Sequence, residues 1–167
     1  SFKRVKSNGQ LTNPKKKAMA GIVVRSSLDP GSPAVWVVQR KSSRRFAYRP
    51  AFQEKSEETT VNAGSAPTYL RLTRTGNTFI GYYSANNSQW TEISRVTLDA
   101  LQGVDLHLGF GVSSRRNKHT VRALFAGIDF EADGGDDPTS EGNPADRFPR
   151  ETLGCYDEPL ERPGSDL

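Results

Sequence analysis

Acid–base chemistry in this chain would have to come from His107, His119 and a few strand-borne carboxylates. Asp105 stands two residues before His107 on an alternating stretch, and Asp129 and Glu131 close the last strand-like segment. Glycoside hydrolysis needs two carboxylates facing each other across a groove, and no Glu-x-Asp-x-x-Glu-like arrangement occurs. The histidines fall in different segments, so a Ser-His-Asp triad has no support, and His107 reads as a polar strand residue. Asp133-Gly134-Gly135-Asp136-Asp137 offers oxygen ligands to calcium but lacks EF-hand spacing and a terminal bidentate Glu. A flexible acidic linker is the plainer reading there. A single cysteine, Cys155, excludes an internal disulfide, thiolate zinc clusters and covalent haem. The reading is therefore non-catalytic, with no cofactor expected.

Sugar recognition asks for other residues. An exposed aromatic covers the apolar face of a pyranose while amide, carboxylate or guanidinium groups bond its hydroxyls. If strand alternation holds, Arg25, Gln39, Tyr69, Arg71, Tyr82 and His107 share a polar sheet face, and Trp90 follows an Asn-rich turn. For each aromatic, Trp36 included, packing in the core or at its rim is the competing explanation. Nucleic acid is disfavoured: the basic residues are scattered over turns (Lys15–Lys17, Arg44-Arg45, Arg115-Arg116-Lys118), without an RRM or OB signature.

The elements that must position these residues are strands. Pro67 to Trp90 alternates with period two on both sides of a Thr75-Gly76-Asn77 turn, which predicts a hairpin. A second turn at 84–88 leads into a third strand through Ile93, completing a meander. Upstream, strands are expected over Ser1–Val5, Ala18–Ser27, Ala34–Arg40 (apolar on both faces at first) and Arg45–Arg49. Ser7-Asn8-Gly9 and Lys41–Arg45 read as turns, and Phe52–Ser65 as a loop with one short strand near Thr59–Val61. Downstream, Leu98 and Leu101 suit a single helical turn. Val104–Ser113 and Val121–Phe130 alternate again. Many short strands without helical periodicity predict two packed sheets.

Two of these stretches carry a resemblance. Leu70–Phe79 with Gly81–Ser84 and Trp90-Thr91, together with Ala20–Ser32 (AGIVVRSSLDPGS), resemble concanavalin-A-like lectin/glucanase sandwich domains repeated in large secreted or surface bacterial proteins. The resemblance covers roughly Ala18 to Phe130. It implies a jelly-roll sandwich of two antiparallel sheets, glycan binding or adhesion, an extracellular or periplasmic setting, and no agreed catalytic residues. It also implies one or more strands ahead of Ser1, so that sheet positions beside the N-terminal strand would be filled from elsewhere.

Length and charge set the organisation. In 167 residues there is room for one sizeable domain, and no run of about 18 apolar residues exists to span a membrane. Residues 1–131 carry 20 basic against 9 acidic residues, a net of +11, while 132–167 carry 10 acidic against 3 basic, a net of −7. The chain thus reads as a sandwich domain over 1–131 and an acidic, proline-rich extended tail over 132–167. Phe148, Leu153, Tyr156 and Leu160 are the tail's apolar anchors for a partner. The expectation is a binding or assembly module that takes a glycan or acts as an adhesin. The alternative is an accessory subunit of a larger complex, docked through an open sheet edge and the tail. A glycoside hydrolase is the weaker third.

Overall fold

The structure, a computed structural model, describes residues 2–12, 18–64, 68–115 and 120–132. The chain divides into two units, Ser1–Asp133 and Gly134–Leu167, and the described residues all belong to the first. The tail anchors Phe148, Leu153, Tyr156 and Leu160 lie outside them, as do Cys155, Asp133–Asp137, Lys15–Lys17 and His119.

Among the described residues ten strands follow in chain order: β1 (Phe2–Thr12), β2 (Met19–Arg25), β3 (Ala34–Gln39), β4 (Ser43–Arg49), β5 (Glu57–Asn62), β6 (Thr68–Thr75), β7 (Thr78–Ser84), β8 (Thr91–Thr97), β9 (His107–Ser113) and β10 (Arg122–Ala132). One sheet runs β10-β1-β6-β7-β8 and the other β5-β4-β3-β2-β9. Pairing is antiparallel throughout. No α-helix occurs among the described residues; a 3-10 turn at Asp99–Leu101 buries Leu101, as the Leu98/Leu101 spacing predicts.

The two sheets face each other across one apolar layer. Ile22, Val24, Val35, Val37 and Phe46 come from the β2–β4 side, and Leu70, Leu72, Phe79 and Ile93 from the β6–β8 side. These are the alternate residues of their strands, so period-two patterning sends one set inward. The sheets approach closely at Gly81: a Cβ there would stand 2.4 Å from the Phe46 ring and 2.8 Å from Val37 Cγ2. At the far side Phe110 of β9 and Phe125 of β10 stack across the sheets at 4.8 Å between centroids.

Several expectations change. The Ser7-Asn8-Gly9 turn is continuous strand, because β6 and β10 pair with β1 on both sides and supply partners for its backbone. Of the two register shifts opposite β10, one falls between Phe2 and Arg4 and the other between Lys6 and Asn8, where Gly127 takes φ +58, the left-handed residue a bulge of this kind requires. The N-terminal strand does not border an unfilled position: β1 is an interior strand, and the edge beyond it belongs to β10. Arg44 does not sit in a solvated turn. It is 1% exposed, with Nη1 donating to the Ser43 and Gly64 carbonyls at 3.2 and 3.3 Å and Nη2 to Thr68 Oγ1. Burial pushes its guanidinium pKa down, with Tyr83 acting weakly the other way. Alternation along Val104–Ser113 places Val104, Leu106, Leu108, Phe110 and Val112 inward; Leu106, Leu108 and Phe110 do pack on the core, but Val104 and Val112 are exposed.

Candidate functional site

The sequence-selected residues separate onto two opposite faces and the interior. Tyr69, Arg71, Tyr82 and Trp90 gather on the outer face of the β6–β8 sheet. Arg71 and Tyr82 are Cα partners, and the Arg71 guanidinium lies 3.7 Å from the Trp90 ring centroid and 5.4 Å from that of Tyr82. This is a cation–π stack. Burial first, then the like charge of Arg4, pushes the Arg71 guanidinium below its usual pKa, with Tyr82 acting in the opposite direction. A ring face already covered by a guanidinium is not an open platform for a sugar. The stack instead fastens the turn before β8 to β6.

The acids of the sequence argument do not converge on a site. Asp129 and Glu131 face Arg4 at 3.6 and 2.9 Å, and Asp105 is exposed ahead of β9. Among the described residues no three His, Cys, Asp or Glu side chains group closely enough to hold a metal. Gln39 points into the sandwich and is 6% exposed; its Oε1 meets no donor. It belongs to a polar layer at one end of the interior, with Ser7, Arg44 and Thr68 also buried.

Arg25 and His107 are Cα partners at the end of β2 and β9, and they face outward on the other sheet. That face carries the concavity. A hollow of about 240 Å³ is lined by Met19, Val23, Arg25, Pro30, Ala34, Trp36, Val38, Arg49, Gly111, Val112 and Ser113. Its centre is Trp36, half-buried and in register with Val23 on one side and Ala47 on the other. Gly21, Gly109 and Gly111 fall on the same face by register, so the floor beside the indole is low and the ring stands against it.

One end of the hollow is walled by the Ser26–Pro33 loop, and two arginines hold that loop. Arg25 Nε donates to Ser32 Oγ at 3.1 Å and Nη2 to the Asp29 carbonyl. Arg49 Nε donates to the Glu54 carbonyl at 3.1 Å and Nη1 to the carbonyls of Pro30 and Ser32. Within the loop Asp29 Oδ1 accepts from the Gly31 N–H at 2.8 Å, and Ser32 Oγ donates to the Ser27 carbonyl at 3.0 Å. The Leu28–Ser32 stretch that carries part of the resemblance is thus the wall of the hollow, and Arg25 has both a structural and a lining role.

Trp36 is the residue the sequence argument passed over. Its signal was available: a strand apolar on both faces in an antiparallel sheet leaves one apolar face outward unless a further layer covers it. No such layer lies over the Trp36 face among the described residues.

No family model and no curated protein matches the sequence. Among solved structures the chain is similar to a functionally unknown protein from Saccharomyces cerevisiae, with a TM-score of 0.61 and 15% identity. That likeness covers 81% of this chain and 72% of the yeast chain. At this identity it supports the all-β, two-sheet architecture and nothing about activity.

Proposed function

We propose that this chain is a non-catalytic carbohydrate-binding module built on a concanavalin-A-like jelly roll of a secreted or surface bacterial protein. The observation that carries the reading is Trp36. It is an indole presented to solvent from the middle of a rigid sheet, over a low floor, in a hollow rimmed by donors. A pyranose stacks its apolar C–H face on such a ring, and guanidinium, imidazole and hydroxyl groups at the rim bond its hydroxyls. Arg25, Arg49 and Ser113 line the hollow, and His107 adjoins it as the Cα partner of Arg25. Positions on strands rather than on a mobile loop lower the ordering cost of binding. Among the described residues the carboxylates of the sequence argument do not converge on this face, which favours binding over hydrolysis. The test is affinity electrophoresis of the whole chain through gels containing individual polysaccharides, beside Trp36→Ala. Retardation by at least one polymer, lost in the variant, is expected; equal retardation of both proteins would sink the reading.

A second reading, an accessory subunit docked through a sheet edge, is favoured by one separate observation. Leu124, Ile128 and Phe130 of β10 are 63%, 51% and 44% exposed, and β10 is an edge strand. The edges on the other side carry charge: Glu57 and Glu58 on β5, Glu92 and Arg95 on β8. Charge is how natural sheets blunt an edge against strand addition. Light scattering discriminates: a concentration-independent monomer would remove this reading.

A further inference from the structure

We propose that the polysaccharide taken by the Trp36 hollow is anionic, its carboxylates or sulfates lying against cations clustered at both ends of that hollow. The inference rests on the Trp36 reading and names the ligand class for the same site.

The register places the cations. Arg45 is the Cα partner of Val38, two residues along β3 from Trp36 and on the same outward face. Arg40 follows the last residue of β3, and exposed Lys41 follows it in the turn to β4. On the other side of the hollow Ser113 pairs with Met19. Two residues later Arg115 takes φ +51, its N–H donating to Ser113 Oγ at 3.2 Å. Arg40, Lys41, Arg45 and Arg115 therefore converge on the Met19–Val38–Ser113 end. From there to Arg25 is the length of β2, about 20 Å at about 3.3 Å per residue, which accommodates several sugar units in a row.

Arg45 is paired with Glu58, yet its pKa is pushed down, first by burial and then by the like charges of Arg40 and Arg115 acting against that carboxylate. Its Nε is buried without an acceptor. At the opposite end the partners of Arg25 and Arg49 are hydroxyl and backbone carbonyl oxygens. Those oxygens carry no formal charge, so these bonds leave the positive charge of both guanidinium groups standing. A hollow with fixed cations at both ends and an apolar floor concentrates field lines toward an anionic chain. A neutral glycan would leave that field unused.

The test uses the whole chain and four probes: polygalacturonate, dextran sulfate, a neutral β-glucan and duplex DNA, each titrated by calorimetry at low and high salt. Arg115→Asn and Lys41→Ser are combined, because both sites are exposed and asparagine tolerates positive φ; Trp36→Ala is the second variant. The expected result is tighter binding to one of the acidic polysaccharides than to the β-glucan, weakened by salt. The double variant should lose about tenfold for that polymer and nothing for the β-glucan, while Trp36→Ala loses both. Whichever acidic polymer binds tells carboxylate from sulfate. Equal, salt-independent affinity for neutral and acidic polymers overturns the inference and leaves the Trp36 reading standing. Acidic-polymer binding untouched by Trp36→Ala overturns both. DNA binding as tight as the polysaccharide's and indifferent to Trp36 makes the cluster a phosphate surface and also overturns the inference.

Discussion

The arginines of this chain are separated in role by what lies within reach of each guanidinium. Arg44 is buried and bonds the backbone. Arg71 covers an indole. Arg25 and Arg49 hold a loop, and Arg45 sits among like charges. None of this is visible in composition, where all read as surface base. At the exposed end of the scale, Arg95 donates from Nε and Nη2 to Glu92 at 2.8 and 2.6 Å. These bonds hold the Glu92 carboxyl below its ordinary 4.5, with desolvation acting weakly against them. A carboxylate with a depressed folded pKa contributes stability above its unfolded pKa and loses it as pH falls through the folded value. Arg95→Ala is expected to return Glu92 toward 4.5, read by carboxyl NMR titration, and to change stability at neutral pH little, because both groups face water. A carboxyl that titrates unchanged in the variant would refute the pairing.

At the scale of elements, alternation identified the strands well. The hairpin of β6 and β7, the short β5, the turn at Leu98–Leu101 and the inward set of β2 all follow from period two and turn residues, and β9 follows it at Leu108 and Phe110 but not at Val112. What alternation could not give was partnership. Ser7-Asn8-Gly9 looks like a turn until two neighbouring strands supply partners for its backbone, and Arg44 looks solvated until Thr68 and Gly64 of other segments reach it. The face that carries the hollow was lost for the same reason. Arg25 and Arg71 both point outward, and only the strand order shows that they point away from each other. Packing between the sheets is tight enough to test directly. Gly81→Ala places a methyl against the Phe46 ring and should destabilise by about 1–3 kcal/mol. Leu72→Ala, which empties a fully buried site, should cost about 2–5 kcal/mol. Urea unfolding measures both, and a Gly81→Ala protein as stable as the parent would contradict the close approach at Phe46.

At the scale of the molecule, the first unit presents two distinct surfaces, a sheet face with the Trp36 hollow and an apolar edge at β10. The edge makes its own prediction. Ile128→Lys, exposed and on an edge strand, should leave stability within about 0.5 kcal/mol. It should abolish any self-association or partner retention seen by light scattering. An assembly that survives that charge does not use β10. The hollow carries the central claim, and the chain's two tryptophans allow it to be read alone. With Trp90→Phe in place, Trp36 is the sole indole emitter, and Arg71 keeps an aromatic ring beneath it. Titrating that protein with a polysaccharide that retards it in a gel is the most direct measurement. Stacking on Trp36 predicts a saturable shift in its emission whose midpoint matches the calorimetric affinity. Full binding with an unmoved Trp36 spectrum would place the glycan elsewhere and contradict it.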